Sequence, residues 1–269
     1  AGMMKKLSND ASGVFTGKGI AFGGSLMRPE ATGYGLVYFT QEMLRRRQQA
    51  VEGLRVGISG SGNVAQYAAA KAIELGARVV TLSDSGGTLV CEQGISEPLL
   101  ADVMALKNEQ RGRLADFCAR NKLDFESGRR PWHVPLDIAL PCATQNELDE
   151  GDAQRLIDNG VRCVAEGANM PSTLEAVDAF QAAGILYAPG KASNAGGVAT
   201  SGLEMSQNAM RLSWSHGEVD LRLHEIMKDI HGNCMRHGER SDGSVNYVEG
   251  ANVAGFVKIA DAMLGQGVY

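Results

Sequence analysis

Several function classes require features this sequence has little of. Its five cysteines, Cys91, Cys118, Cys142, Cys163 and Cys234, are odd in number and scattered, with no Cys-x-x-Cys spacing. That argues against a disulfide framework, and reduced thiols in a cytoplasmic protein are expected. No apolar run reaches membrane-spanning length, and Met3-Met4-Lys5-Lys6 lacks the apolar core of a signal peptide, so no membrane partner is expected. There is no excess of basic charge. The formal net charge is −5, and the one basic cluster, Arg45-Arg46-Arg47, falls at the end of a predicted helix, where cations suit the helix dipole. A nucleic-acid partner leaves a basic footprint and is not expected here. The sequence contains no Ser-His-Asp nucleophile pattern, no His-Glu-x-x-His motif, no Walker loop, no internal repeat and no low-complexity segment. It opens on Ala1-Gly2 rather than Met, which predicts a processed, excised or truncated chain.

What remains is an ordinary globular composition over 269 residues, 44% hydrophobic and 21% charged, enough for one large or two modest domains. Within it, Arg55-Val56-Gly57-Ile58-Ser59 is a short apolar strand running into Gly60-Ser61-Gly62-Asn63-Val64-Ala65. This is a Gly-x-Gly-x-x-Ala turn. Gly60 permits the tight bend, Gly62 lets backbone approach a pyrophosphate, and Ala65 lets the next helix sit close to the sheet. Amides at such a helix start carry partial positive charge and bind phosphate. Asn63 to Leu75 is Ala-rich and Pro-free, which predicts a crossover helix. The second β-rich run, Arg78 to Asp84, ends in an acid 24 residues after Gly60, about where a ribose-binding carboxylate belongs. The alternative for Asp84 is a turn cap.

Further apolar runs predict buried strands at 136–140, 162–165 and 185–188, separated by helical patterns at 101–121, 152–159 and 172–183. Another helix is predicted from Ala31 to about Arg47. Alternating strands and helices imply an α/β, Rossmann-like, doubly wound and mostly parallel sheet with helices on both faces. After Gly202 only helices are predicted, at 203–214, 218–237 and 252–264. The expected organisation is therefore a dinucleotide-binding domain over 28–202 and a helical C-terminal segment over 203–269.

Ligands of such sheets bind beyond the carboxyl ends of the strands. The loops there begin Pro141-Cys142-Ala143-Thr144-Gln145-Asn146, Glu166-Gly167-Ala168-Asn169 and Pro189-Gly190-Lys191-Ala192-Ser193-Asn194. Each delivers an amide side chain, Asn146, Asn169 or Asn194, to one edge, where uncharged donors and acceptors suit a ribose or carboxamide. Asn also caps helices and fills turns, but three at one edge favour a site. His224, His231, Cys234 and His237 form a decoy. On a helix His237 points about 120° away from His231, no fourth matching ligand exists, and a mostly exposed helix is expected, with no metal site.

Together with Thr16-Gly17-Lys18-Gly19, Arg28-Pro29-Glu30-Ala31-Thr32-Gly33-Tyr34-Gly35 and Ser201-Gly202-Leu203-Glu204-Met205, these motifs make the whole chain resemble the glutamate dehydrogenases, of the bacterial hexameric, NADP-linked kind. The resemblance implies hydride exchange between a nicotinamide coenzyme and the α-carbon of glutamate, linking 2-oxoglutarate and ammonia to glutamate. By resemblance, Thr32 meets the nicotinamide carboxamide, and Gly60, Ser61, Gly62, Asn63 and Val64 form the pyrophosphate turn. Asn169 and Asn194 lie by the nicotinamide ribose and ring, and Ala143 and Thr144 also belong to the coenzyme site. Arg28, Val198 and Ser201 are implied substrate contacts, with the Ser201 hydroxyl reaching the distal carboxylate, which disfavours an amino-acid dehydrogenase for apolar side chains. Asp84 favours an unphosphorylated ribose. The resemblance favours NADP, with Ser83, Ser85 and Lys107 as donors, so NADP is expected and NAD is the alternative.

The family carries an N-terminal substrate domain with the catalytic lysine, the proton-shuttling aspartate and the carboxylate-binding lysines. None of those motifs is present here, residues 1–27 resemble the end of that domain, and Lys18 reads as a turn residue. The resemblance therefore implies a chain with no catalytic acid–base residue, inactive alone. The competing reading is a stand-alone NADP(H)-binding module.

Overall fold

The computed structural model describes Met3, Lys6, Leu7 and residues 13–267. Seven strands form one sheet in the order β4-β3-β2-β1-β5-β6-β7. They are β1 (Arg55–Ile58), β2 (Arg78–Asp84), β3 (Gly87–Val90), β4 (Asp124–Ser127), β5 (Ile138–Leu140), β6 (Cys163–Ala165) and β7 (Leu186–Ala188). β2, β1, β5, β6 and β7 are parallel, while β3 and β4 add an antiparallel edge. The helices among the described residues are α1 (Ala31–Arg46), α2 (Asn63–Glu74), α3 (Glu97–Asn108), α4 (Leu114–Asn121), α5 (Glu150–Asp158), α6 (Leu174–Ala182), α7 (Gly190–Ser193), α8 (Gly196–Met210), α9 (His216–Gly238) and α10 (Tyr247–Gln266).

Strand periodicity builds both faces. Ile138 and Leu140 of β5, and Cys163 and Ala165 of β6, join one core with residues of α1, α2 and α9, as do Val79 and Leu82 of β2, three apart because the pairing with β1 shifts by one residue between Val79 and Thr81. Their neighbours Val80, Ala139 and Val164 join a second core with Trp132, Leu156 and Phe180. Alternate side chains of a strand point to opposite faces, so runs apolar at every position are buried on both.

Several expectations need correction. The helical pattern over 101–121 is two helices. The chain reverses at Arg111, whose φ of 52° is left-handed, so no single helix can pass through it. β3 and β4 carry no long apolar run, and only β2 and one another hold them in the sheet. The C-terminal helices are not a separate layer, because Val219, Leu223, Met227 and Cys234 of α9 and Tyr247 of α10 belong to the first core. α8 runs straight through residue 202. His231 sits on the buried face of α9, against the Tyr247 hydroxyl at 2.9 Å, and burial lowers its pKa to about 4. It is a core histidine on a helix whose other face is exposed.

Lys18 is more than a turn residue. Its Nζ donates to Glu204 Oε1 of α8 at 2.5 Å, with both side chains buried, and the Gly17 amide donates to Glu204 Oε2 at 2.9 Å. Burial pushes the Glu204 carboxyl up, but the Lys18 ammonium and the Gly17 and Lys18 amides outweigh it and hold the group below its ordinary 4.5. A depressed carboxyl contributes stability that is whole above the ordinary value and is lost as pH falls through the lower native one. Protection of the amides over residues 13–24, taken relative to the intrinsic exchange rate at each pH, should therefore fall when the pH drops below that range. Lys18→Ala should reproduce the effect at neutral pH, at a cost of about 2 kcal/mol for a charged hydrogen-bonded pair. Unchanged protection in that variant would refute the tie.

Candidate coenzyme site

Two cavities adjoin at the carboxyl edge of the parallel strands. The first, of about 800 Å³, is lined by Thr32, Val64, Asn169, Asn194, Val198 and Ser201, among others. The second, of about 470 Å³, is lined by Gly60, Ser61, Asp84, Ser85, Thr144 and Asn146, among others. Ala143 and Gln145 line both, so the loop after β5 forms the saddle between them.

The glycine turn sits at that junction. Gly60 has a φ of 83°, and a Cβ there would lie 3.2 Å from both Ala143 Cα and the Cys142 carbonyl. The bend thus needs glycine for conformation and for room. A Cβ on Gly62 would meet nothing within 4 Å, so the space in front of this backbone is open. Side chains of Ser96, Asp149, Thr173, Ser215 and Asn246 cap α3, α5, α6, α9 and α10, whereas α2, like α1, α4, α7 and α8, has no side-chain cap and begins at Gly62. The Gln66 amide bonds to the Gly62 carbonyl at 2.9 Å, which leaves the first-turn amides before it without helical acceptors. Ser83 fixes the turn from β2, accepting the Gly60 amide at 2.8 Å. The Asn63 side chain donates to the Pro29 carbonyl at 2.6 Å and ties α2 to the start of α1.

In the first cavity Asn194 Nδ2 donates to Asn169 Oδ1 at 2.8 Å, joining two of the three strand-end amides. The third does not join them. Asn146, at φ 54°, lines the second cavity. The loops bearing Asn169 and Asn194 share a buried anchor. The Glu166 carboxylate accepts Tyr187 Oη at 2.6 Å, the Gly190 amide at 2.8 Å and the Ser172 amide at 3.3 Å. Burial and the adjacent Glu166 push the Tyr187 phenol far up, so it remains a donor. Glu147 does similar work for the saddle. It accepts Ser59 Oγ at 2.7 Å and the Ala143 amide at 3.0 Å, and burial raises its pKa despite those bonds. Both acids directly follow or close a strand-end loop, which is the signal that identifies them in the sequence.

On the far wall, Arg28 Nε donates to Ser201 Oγ at 3.1 Å, and that hydroxyl donates to the Gly197 carbonyl at 3.1 Å. Val198 is exposed beside them. Thr32 Oγ1 lies 2.5 Å from where a Cβ on Gly197 would be, so α1 and α8 meet closely here. At the second cavity, Asp84 Oδ1 accepts the Gly86 amide at 2.9 Å, and Oδ2 accepts the Leu114 amide at 3.0 Å and Lys107 Nζ at 3.1 Å. Burial raises this carboxyl, but those donors win and hold it below the usual range. Lys107 also donates to the Gly112 carbonyl at 3.0 Å and lines neither cavity. It neutralises Asp84 rather than standing free as a donor. Ser85 Oγ instead accepts Arg113 Nη1 at 2.5 Å, and Arg129 and Arg130 line the cavity itself. Sequence reasoning missed these three arginines because the break at Arg111 and the β3–β4 edge bring them there.

The family model for Glutamate/Leucine/Phenylalanine/Valine dehydrogenases matches residues 23–267. The NADP-specific glutamate dehydrogenase of Escherichia coli K12 is 63% identical over 268 residues, covering 100% of this chain and 60% of that protein. The NAD(P)-specific glutamate dehydrogenase of Xylanibacter ruminicola is 56% identical over 268 residues, with the same coverage. The crystal structure of Plasmodium falciparum glutamate dehydrogenase superposes with a TM-score of 0.96 at 42% identity, over 100% of this chain and 58% of that one. The chain thus spans about 60% of the length of the curated relatives it matches. It belongs to the Glutamate/Leucine/Phenylalanine/Valine dehydrogenase family.

Proposed function

We propose that this chain is the coenzyme-binding part of an NADP-linked glutamate dehydrogenase, which reversibly converts L-glutamate to 2-oxoglutarate and ammonia within a hexamer. On this reading residues 28–202 are the dinucleotide domain, 203–269 are helices completing it, and 1–27 belong to the substrate domain. The observation that carries the reading is the pair of adjoining cavities with the uncapped start of α2 between them. Gly60 and Ser61 line one, Val64 lines the other, and a dinucleotide needs two pockets joined by a phosphate site.

When bound, the nicotinamide supplies the hydride exchange. Asn169, Asn194 and Thr32 orient the ribose and carboxamide by uncharged hydrogen bonds. The Gly62-to-Ala65 amides hold the pyrophosphate. Arg28 and Ser201 supply a cation and a hydroxyl for the distal carboxylate of glutamate, and an apolar side chain would leave them unpaired. Among the described residues, no lysine, histidine, aspartate or glutamate lines the first cavity. On this reading these residues position the reactants without moving their protons.

The preference between coenzymes tests the adenosine end. Asp84 alone would repel a 2′-phosphate, but Lys107 neutralises it and Arg113 brings cationic charge beside Ser85, while Arg129 and Arg130, paired with Glu126 and with Asp149 and Asp152, add guanidinium donors to the wall. Calorimetry should give at least about tenfold tighter binding of NADPH than NADH. Lys107→Ala should weaken NADPH by about tenfold and NADH by much less, since the uncovered carboxylate repels only the phosphate. A wild-type preference for NADH would overturn the assignment. If neither coenzyme bound, the stand-alone binding module would fall with it.

A further inference from the structure

The opposite edge of the sheet holds a third cavity, of about 320 Å³, beside Ile185 and Leu186, where β7 begins. Four chain segments build it. The end of α1 gives Arg46 and Arg47, the end of α6 gives Gln181, and the loop between α9 and α10 gives Arg240, Ser244 and Asn246. α1 carries Thr32 at its other end, so at 1.5 Å per residue the arginines lie about 20 Å along the helix from the coenzyme cavities.

Three guanidinium groups line this space, and no carboxylate does. Of the acids nearby, Glu239 pairs with Arg46 and neutralises it, and Asp242 Oδ1 accepts the Ser244 amide at 2.8 Å, which leaves Arg47 and Arg240 without a carboxylate in an ion pair among the described residues. Two of the arginines are held in place by backbone, Arg47 Nη2 on the Gly184 carbonyl at 2.7 Å and Arg46 Nη2 on the Gly243 carbonyl at 3.0 Å. Among the described residues the Arg240 side chain makes no ion pair. Concentrated like charge is unfavourable, and guanidinium donors held in a fixed fork are suited to bidentate oxyanions. The Gln181 and Asn246 amides and the Ser244 hydroxyl add neutral donors. The Arg45-Arg46-Arg47 run, which alone suggests only a solvated helix end, thus contributes two side chains to a built concavity.

We propose that this cavity is a second ligand site, which takes a small polyanion bearing a phosphate group or clustered carboxylates and is independent of the coenzyme. Such an anion would bridge Arg47 at the end of α1 and Arg240 of the α9–α10 loop, the two guanidinium groups here that no carboxylate pairs with among the described residues.

The test is isothermal titration of the 269-residue chain with pyrophosphate, ADP and citrate, at constant ionic strength and with saturating NADPH present so that the coenzyme turn is already occupied. We expect saturable one-to-one binding of at least one of them. Arg240→Ala and Arg47→Ala should each weaken it at least about tenfold, and Gly62→Val should leave it unchanged. Binding of pyrophosphate and ADP without citrate identifies a phosphate site, and the reverse a carboxylate site. Circular dichroism establishes that the variants fold, and Arg240 is exposed on a loop, so its removal spares the core. No saturation up to about 10 mM would overturn the proposal, as would binding lost in Gly62→Val but retained in Arg240→Ala, which would assign the anion to the coenzyme turn.

Discussion

Replacing Gly62 by valine is expected to weaken coenzyme binding at least about 100-fold, roughly 2.7 kcal/mol, while the protein stays folded. The two halves of that expectation come from the same place. Gly62 has φ −84° and ψ −171°, an extended conformation any residue adopts, and a Cβ there meets nothing within 4 Å. Valine is therefore accommodated without strain. The empty space is also the approach to the uncapped α2 amides, and a branched side chain in it keeps a pyrophosphate from reaching them. The comparison variant is Gly60→Val, at φ 83° and within 3.2 Å of the β5 loop, which should lose stability as well as affinity. NADPH binding followed by fluorescence, beside a thermal melt, separates the two. A folded Gly62→Val protein of unchanged affinity would remove the assignment of the turn.

The 269-residue chain alone should oxidise NADPH with 2-oxoglutarate and ammonium at no more than background rate, at least about 10⁴-fold below a complete enzyme of this chemistry. Ammonia must add to the ketone and water must leave, which calls for a base and an acid at the reacting carbon. Among the described residues, the ionisable side chains lining the first cavity are Arg28 and Cys142. Arginine does not give up its proton. Burial, with Glu147 nearby, pushes the Cys142 thiol well above its ordinary range. The two lysines closest in sequence to site motifs are engaged elsewhere, Lys18 on Glu204 and Lys191 on Asn252 Oδ1 at 2.7 Å. General acid–base catalysis contributes about 10² to 10⁴, and clamping the substrate between two surfaces contributes more. Robust turnover by protein of verified mass would refute the inventory, and Lys191→Ala and Lys18→Ala would then identify the group that had been misjudged.

The sequence by itself determined the features that depend on neighbours along the chain. A short apolar strand, a glycine bend and an Ala-rich helix are local events, so the turn at Gly60 was legible. So were the parallel strands, because burial on both faces writes continuous apolar runs. The loops after β5, β6 and β7 follow from that, and with them Asn169 and Asn194. Tertiary structure decided everything that depends on what a side chain meets across the fold. β3 exists because β2 offers it an edge, and β4 because β3 offers the next one. Lys107 meets Asp84 across the fold, and the reversal at Arg111 brings the Leu114 amide to the same carboxylate and Arg113 to Ser85. Asn146 parts from the other two amides because its left-handed backbone turns it toward the second cavity. His231 becomes a core residue only when α10 brings Tyr247 against it. Arg46, Arg47 and Arg240 share one cavity although about 190 residues separate them in sequence. A residue's type sets what its side chain is able to bond, whereas the partner it finds is fixed by packing between distant segments, which no local spacing encodes.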